Sequence, residues 1–434
     1  MSRNIYWCAA VAALLSHALN AFATEDTGLQ SIREQIQELE QRIALQSRTP
    51  PAPVVSSSEG AFNPAISLIL SGTYGSLRQA PVIPPTGFAM NANNTGYTRG
   101  FSLKESELGI AANIDPQYRG VGTFSLDPAG GISVENAFVQ SSALGNGLNL
   151  KMGRFFSGLD YLNEQHAHAW DFVDQPLVYR TLWDNQIGDD GLQLKWLAPA
   201  DMFVEIGGEI GRGRGFPGTD RQNKNGAGAG VLFAHIGDDI GIEHSWRAGV
   251  SLHETRRENA ISTVGAVNNS FSGDSQTAGL DFVWKYSHNG NTRERYLKVQ
   301  GEYFRRKENG LLTYDFTAPG VAPVGANITD TYSNTQSGWY LQSVYQFMPT
   351  WRTGLRYDRL DPGVAAVGAL NAGNVISNYA FNPSRITWMV DYNPSEFTRL
   401  RLQLAHDNSR QGLPDNQLFV QYIMSLGAHG AHQF

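Results

Sequence analysis

Leu418-Phe419-Val420-Gln421-Tyr422-Ile423-Met424-Ser425-Leu426 decides how this chain is read. Leu418, Val420, Tyr422, Met424 and Leu426 alternate with Phe419, Gln421, Ile423 and Ser425. A period of two is strand geometry, because successive side chains leave opposite faces of an extended backbone. The same alternation recurs back to Pro64 and gives sixteen segments. No apolar run except the N-terminal one approaches the roughly 20 residues that a spanning helix needs. Strands facing lipid on one side and a lumen on the other average out in hydropathy. The expected fold class is therefore all-β: a 16-stranded antiparallel transmembrane β-barrel over 64–434, preceded by a short N-terminal α-helical coiled coil.

The connections between segments fall into two alternating sets. The tight ones are Asp115-Pro116, Leu144 to Gly147, Ala198 to Asp201, Gly237 to Gly241, His288 to Arg293, Met348 to Thr350 and Asn393 to Glu396. The long ones, rich in Gly, Asn and Asp, are 75–98, 157–190, 211–227, 254–273, 306–335, 361–384 and 408–416, with a short member at 127–131. Short periplasmic turns alternating with long external loops is the outer-membrane pattern. Aromatics near segment ends, such as Trp196, Trp246, Tyr286, Tyr303, Tyr345, Trp351, Tyr357 and Tyr392, suit a membrane-interface girdle. They disfavour a soluble sandwich or propeller.

Residues 1–23 read as a secretory signal peptide, with Arg3, an apolar stretch from Ile5 to Leu19, and Ala21-Phe22-Ala23 as the cleavage site. Cys8 lies inside it, so the mature chain has no thiol, as suits an exported protein without disulfides. Removing 1–23 takes one Arg and no acid, moving the net charge from −7 to −8. A mildly acidic balance argues against nucleic acid as a partner. In 24–47, Leu29, Ile32, Ile36, Leu39 and Ile43 form an a/d stripe, the mark of a periplasmic coiled coil. So short a stripe does not hold a helix alone in water, so homotrimeric association is expected. Residues 48–63, with Pro50-Pro51-Ala52-Pro53 and Ser56-Ser57-Ser58, form a Pro/Ser-rich linker.

With these residues assembled, the layout resembles the trimeric bacterial outer-membrane porins, notably the phosphate- and sugar-selective branches. Val134 to Gln140, followed by Gly147 to Phe155, resembles the strand pair preceding their third loop. Tyr161 to Arg180 is similar to a subgroup described as metal-regulated outer-membrane receptors. Such barrels end on an aromatic residue, here Phe434. The resemblance implies a bacterial outer-membrane location, lipid and lipopolysaccharide around the barrel, and a third loop folded inward to form the constriction.

That third loop, 157–190, carries Asp160, Glu164, Asp171, Asp174, Asp184, Asp189 and Asp190 against one base, Arg180. Carboxylates crowded at a narrow pore attract cations. Asp160, Asp174, Asp184 and Arg180 are the expected constriction residues. Parity with lipid-facing neighbours places Lys195, Arg247, Lys285, Lys298, Arg352, Arg356, Arg399 and Arg401 on a basic lumen wall, since an Arg facing lipid at mid-membrane costs roughly 2–4 kcal/mol. Glu205, Glu209, Asp281, Glu302, Asp358 and Asp391 face inward by the same argument. Glu164, His166, His168 and Asp171 form a candidate transient site for Zn²⁺ or a similar divalent ion, because imidazole with carboxylate suits such metals. No resident cofactor is expected.

Catalysis is not expected either. His253, His288 and His406 lack an accompanying nucleophile motif, and Gly211 to Gly215 opens no helix as a phosphate loop would. The sequence thus points to passive diffusion of small hydrophilic solutes, biased toward cations and divalent metals such as zinc. Alternatives are an anion-, phosphate- or sugar-selective porin, or an envelope-anchoring barrel that engages peptidoglycan through its coiled coil.

Overall fold

The computed structural model describes residues 64–80, 84–88, 96–103, 106–126, 130–141, 144–219, 224–264, 267–314, 327–372 and 380–427. The expected signal peptide, coiled coil and linker, together with Phe434, lie outside these residues.

Alternation produces a closed antiparallel barrel. In the strand Asp415–Gly427, Val420, Tyr422, Met424 and Leu426 point out and are exposed, while Phe419, Gln421 and Ile423 are buried inside. In Ile328–Met348, Leu341 is 52% exposed and its neighbour Gln342 only 3%. Large apolar groups outside and Gln, Arg and Asp inside invert the soluble arrangement. A lipid-facing belt explains it. Each strand pairs with its neighbour in sequence, and Asp415–Gly427 closes the circle on Ala65–Leu77, from Ser67↔Gly427 to Leu77↔Gln417. Closure leaves no open edge, which lipid would not tolerate. Eighteen hydrogen-bonded segments make sixteen barrel strands. Gly100–Leu103 and Ser106–Asn113 both pair with the first strand and act as one. The two-residue Ala366–Val367 only decorates a loop.

Several connections differ from the sequence reading. The stretch 254–273 is no loop: His244–Val264 and Val267–Ser287 pair from His244↔Tyr286 to Val264↔Val267, with one shift of register between Arg257 and Ala260. These 21-residue strands far exceed the roughly 9–11 needed to cross a bilayer. Beyond the lipid no face need be apolar, so the alternation fades while the ladder continues. The same reason extends Tyr296–Tyr314 and Ile328–Met348 into the expected loop 306–335. At the opposite end the strand Ala229–Ile240 runs almost through the expected turn 237–241, and Gly241 turns the chain with φ 65°.

The interior is occupied by residues 157–187, which fold into the lumen. Ser157 N–H bonds to the Ile187 carbonyl at 2.9 Å, and the Asn163 amide bridges the carbonyls of Ser157 (2.8 Å) and Ile187 (2.9 Å), clasping the loop's neck. Leu159, Leu162, Leu177, Val178, Leu182 and Trp183 then pack on Phe233, Phe304, Tyr340 and Leu360 of the wall. A short helix, Leu177–Leu182, lies in this cluster, and Asp358 Oδ1 accepts the Leu177 N–H at 2.9 Å, satisfying one of its orphan donors. Gly338 makes room for it: a Cβ there would lie 2.8 Å from Val178 Cγ2.

Candidate functional site: the loop-divided lumen

Inward side chains of the barrel hold the loop according to their charge. Acceptors catch loop N–H groups: Glu209 takes that of Gly158 at 2.8 Å, Glu302 that of Leu162 at 2.9 Å and Gln403 that of Val173 at 2.7 Å. Guanidinium groups catch loop carbonyls: Arg306 reaches Leu182 at 3.1 Å, Arg399 His168 at 3.1 Å and Arg401 Trp170 at 3.0 Å. Arg352, Arg356 and Arg401 are buried, and Arg247, Lys285, Lys298 and Arg399 line an internal cavity. What the parity reading missed is that much of this charge fastens the loop.

The loop carboxylates are fastened likewise. Asp171 contacts Lys298 and Arg352, the latter at 3.0 Å. Asp174 pairs with Arg356 at 3.0 Å and with Arg385, and accepts from the Tyr97 hydroxyl. Burial alone would raise both carboxyls; Lys298 with Arg352, and Arg385 with Arg356, outweigh it and hold them well below the usual carboxylate range. Glu164 meets Lys195 at 3.3 Å and is likewise pushed down, against burial, to about 2. Asp160 is fully buried and accepts Ser251 Oγ at 2.9 Å; burial, then Glu302 and Asp281, push its carboxyl up.

Other expected constriction residues have local roles. Asp184 sits past the helix with φ 51°. Arg180 stacks 4.1 Å above the Tyr97 ring. Asp189 and Asp190 belong to the next strand, Gly188–Leu197, where Asp190 pairs with Arg154 at 2.6 Å. The ring of carboxylates implied by the loop's composition is therefore largely compensated by the wall.

The four expected metal ligands do not come together. Glu164 and Asp171 are drawn to Lys195 and to Lys298 with Arg352, whereas His166 and His168 turn to the carboxylates of Glu107 and Glu135. His166 Nδ1 lies 2.9 Å from Glu135 Oε2 and 3.3 Å from Glu107 Oε2, and His168 Nδ1 lies 2.8 Å from Glu107 Oε1. Glu107 was legible by parity, since Leu108 and Ile110 beside it face out. Glu135 was not. The pairing of Tyr118–Leu126 with Ile132–Ser141 matches Thr123 to Asn136 and Phe124 to Val134, stepping over Glu135 in a β-bulge.

Against the loop, at the tight-turn end of the barrel, opens a cavity of ≈ 740 Å³. Arg247, Lys285, Lys298, Arg352 and Arg399 line one side; Glu107, His166 and His168 line the other. Arg119 joins them near the mouth, and Glu164 and Asp171 also reach its surface. Two charged walls facing each other across water make a transverse field. Arg356 and Arg401, by contrast, are buried in ion pairs away from that lining.

No family model matches the chain. An uncharacterized protein of Aquifex aeolicus (strain VF5) is 29% identical over 411 residues, covering 87% of this chain and 81% of the relative. Among solved structures, a loop L8 deletion mutant of OmpT, an outer membrane protein of Vibrio cholerae, superposes with a TM-score of 0.52 at 12% identity, over 84% of this chain and 100% of that one. The trimer form of in-vitro folded OmpT gives 0.50 at 12% identity, over 84% and 99%. The shared fold, the apolar outer belt and the polar lumen belong to a protein of the bacterial outer membrane.

Proposed function

We propose that this barrel is a passive porin-type channel for small hydrophilic solutes, with its constriction set by the internal loop 157–187 and a preference for anions. One observation carries the reading: a water-accessible cavity on the loop is lined by six bases (Arg119, Arg247, Lys285, Lys298, Arg352, Arg399) and three carboxylates (Glu107, Glu164, Asp171). Enclosed in low-dielectric walls, an excess of positive charge concentrates anions. The cation preference suggested by the loop's acids loses its support, because Asp171 and Asp174 each sit between two wall bases. Reversal potentials across a planar bilayer under a KCl gradient test the proposal. Chloride should permeate more readily than potassium; a potassium-selective pore contradicts it. The channel is further proposed to act as a homotrimer whose chains are gathered by the coiled coil over 24–47, so deleting that segment should weaken association in detergent while sparing conduction.

A further inference from the structure

We propose that Glu107, Glu135, His166 and His168 form a binding site for a first-row divalent transition-metal ion of the Zn²⁺ kind, clipping the internal loop to the barrel wall. Three chain segments that are remote in sequence supply it: Ser106–Asn113 gives Glu107, the bulge in Ile132–Ser141 gives Glu135, and the loop gives both histidines. Candidate ligand atoms of Glu107, Glu135 and His166 all lie within 4.8 Å of one another. The contacts from the two imidazole Nδ1 atoms to carboxylate oxygens measure 2.8, 2.9 and 3.3 Å. Ligands held at about 2.0–2.2 Å around a tetrahedral ion are separated by about 3.3–3.5 Å, so Glu107, Glu135 and His166 would draw together by up to about 1.5 Å on an ion, with His168 following through its contact with Glu107.

The chemistry of the donors agrees. Two carboxylates balance a divalent charge, and two imidazoles favour Zn²⁺-like ions over Ca²⁺ or Mg²⁺, which take oxygen ligands. Glu107 and Glu135 side chains are 3% and 7% exposed, while His166 at 23% faces the cavity and leaves an entry path. The His166 and His168 rings stack 5.8 Å apart at 19°, so both Nδ1 atoms face the same wall. Metal ligation takes deprotonated donors, so affinity weakens as the pH is lowered.

Binding is measured without conduction, so this proposal and the channel reading fail separately. The full-length chain, folded in detergent and stripped with EDTA, is titrated calorimetrically with ZnCl₂ and with MgCl₂. One Zn²⁺ per chain is expected, bound at least about 100-fold more tightly than Mg²⁺. Glu107→Gln and His168→Ala should each lower Zn²⁺ affinity at least about 100-fold. A His429→Ala, His432→Ala chain should bind as wild type. X-ray absorption of the zinc-loaded wild type requires no variant to fold, and should show two imidazole nitrogens with carboxylate oxygens at about 2.0–2.2 Å. The proposal is overturned by absence of stoichiometric Zn²⁺, by unchanged affinity in Glu107→Gln and Glu135→Gln, or by a shell without imidazole.

Discussion

Arg356 is fastened to Asp174 twice over: Nη2 donates to the carboxylate at 3.0 Å and Nη1 to the same residue's carbonyl at 2.8 Å, both side chains being almost completely buried. Arg385 closes on the same carboxylate from the next strand. Breaking a buried pair by removing one partner costs about 3–5 kcal/mol, because it strands the opposite charge. Asp174→Ala leaves Arg385 without its carboxylate and Arg356 with Asp358 alone, at 3.0 Å, so the loop should detach from this wall. Single-channel recordings of the variant should show a larger, noisier conductance, and limited proteolysis should cut within 157–187 where wild type resists.

The same pairs set the acid response. A carboxyl whose pKa is depressed on folding adds stability above its ordinary value of about 4 and loses it as pH falls through the lowered folded value. Asp171 and Asp174 are both of this kind. Loop docking through them should be constant between about pH 5 and 8 and weaken only below about pH 4. Conductance in chelator, followed from pH 8 to 3, should be flat and then rise at the acid end. A step near pH 6 to 7 would speak against these carboxylates as the controlling contacts.

Selectivity should respond to bases that line the cavity. Arg119, near the mouth, and Lys285 both face it. The double variant Arg119→Ala, Lys285→Ala should shift the reversal potential toward potassium, with little change in thermal stability. Arg356→Ala touches a base buried away from the cavity, so it should mainly destabilise the loop.

The barrel wall predicts an asymmetry between neighbours. Leu341→Arg puts charge into lipid and should cost roughly 2–4 kcal/mol at mid-membrane, whereas Gln342→Leu acts only inside. Urea unfolding from lipid vesicles measures the difference. Gly338→Val should instead displace the helix Leu177–Leu182, because the added side chain would occupy the space of Val178, and should appear as a widened pore in a stable barrel.

Much of this was legible in the sequence. Parity placed Lys195, Arg247, Arg352, Arg399 and Asp391 inside, because lipid excludes them from the alternative face. The inward loop came from resemblance and from its length. What alternation could not supply was partnership. Nothing local in Glu164-Gln165-His166-Ala167-His168 says that its carboxylate would find Lys195 while its imidazoles found Glu107 and Glu135. Glu135 was hidden because a bulge breaks the period on which the reading depends, and 254–273 looked like a loop because a ladder above the membrane needs no apolar face. Arg385 shares its inward face with Thr387, Met389 and Asp391, so parity would have found it; its partners, Asp174 of the loop and Gln417 of the wall, would not have been.

The central claim is that a water-filled passage crosses this barrel and that residues 157–187 narrow it. Single-channel conductance in planar bilayers, compared between the wild-type chain and one with residues 160–185 replaced by a short Gly/Ser linker, tests it most directly. Discrete ohmic steps in the wild type and severalfold larger steps in the shortened chain are predicted. Silence from both proteins, or steps of equal size, would contradict the account.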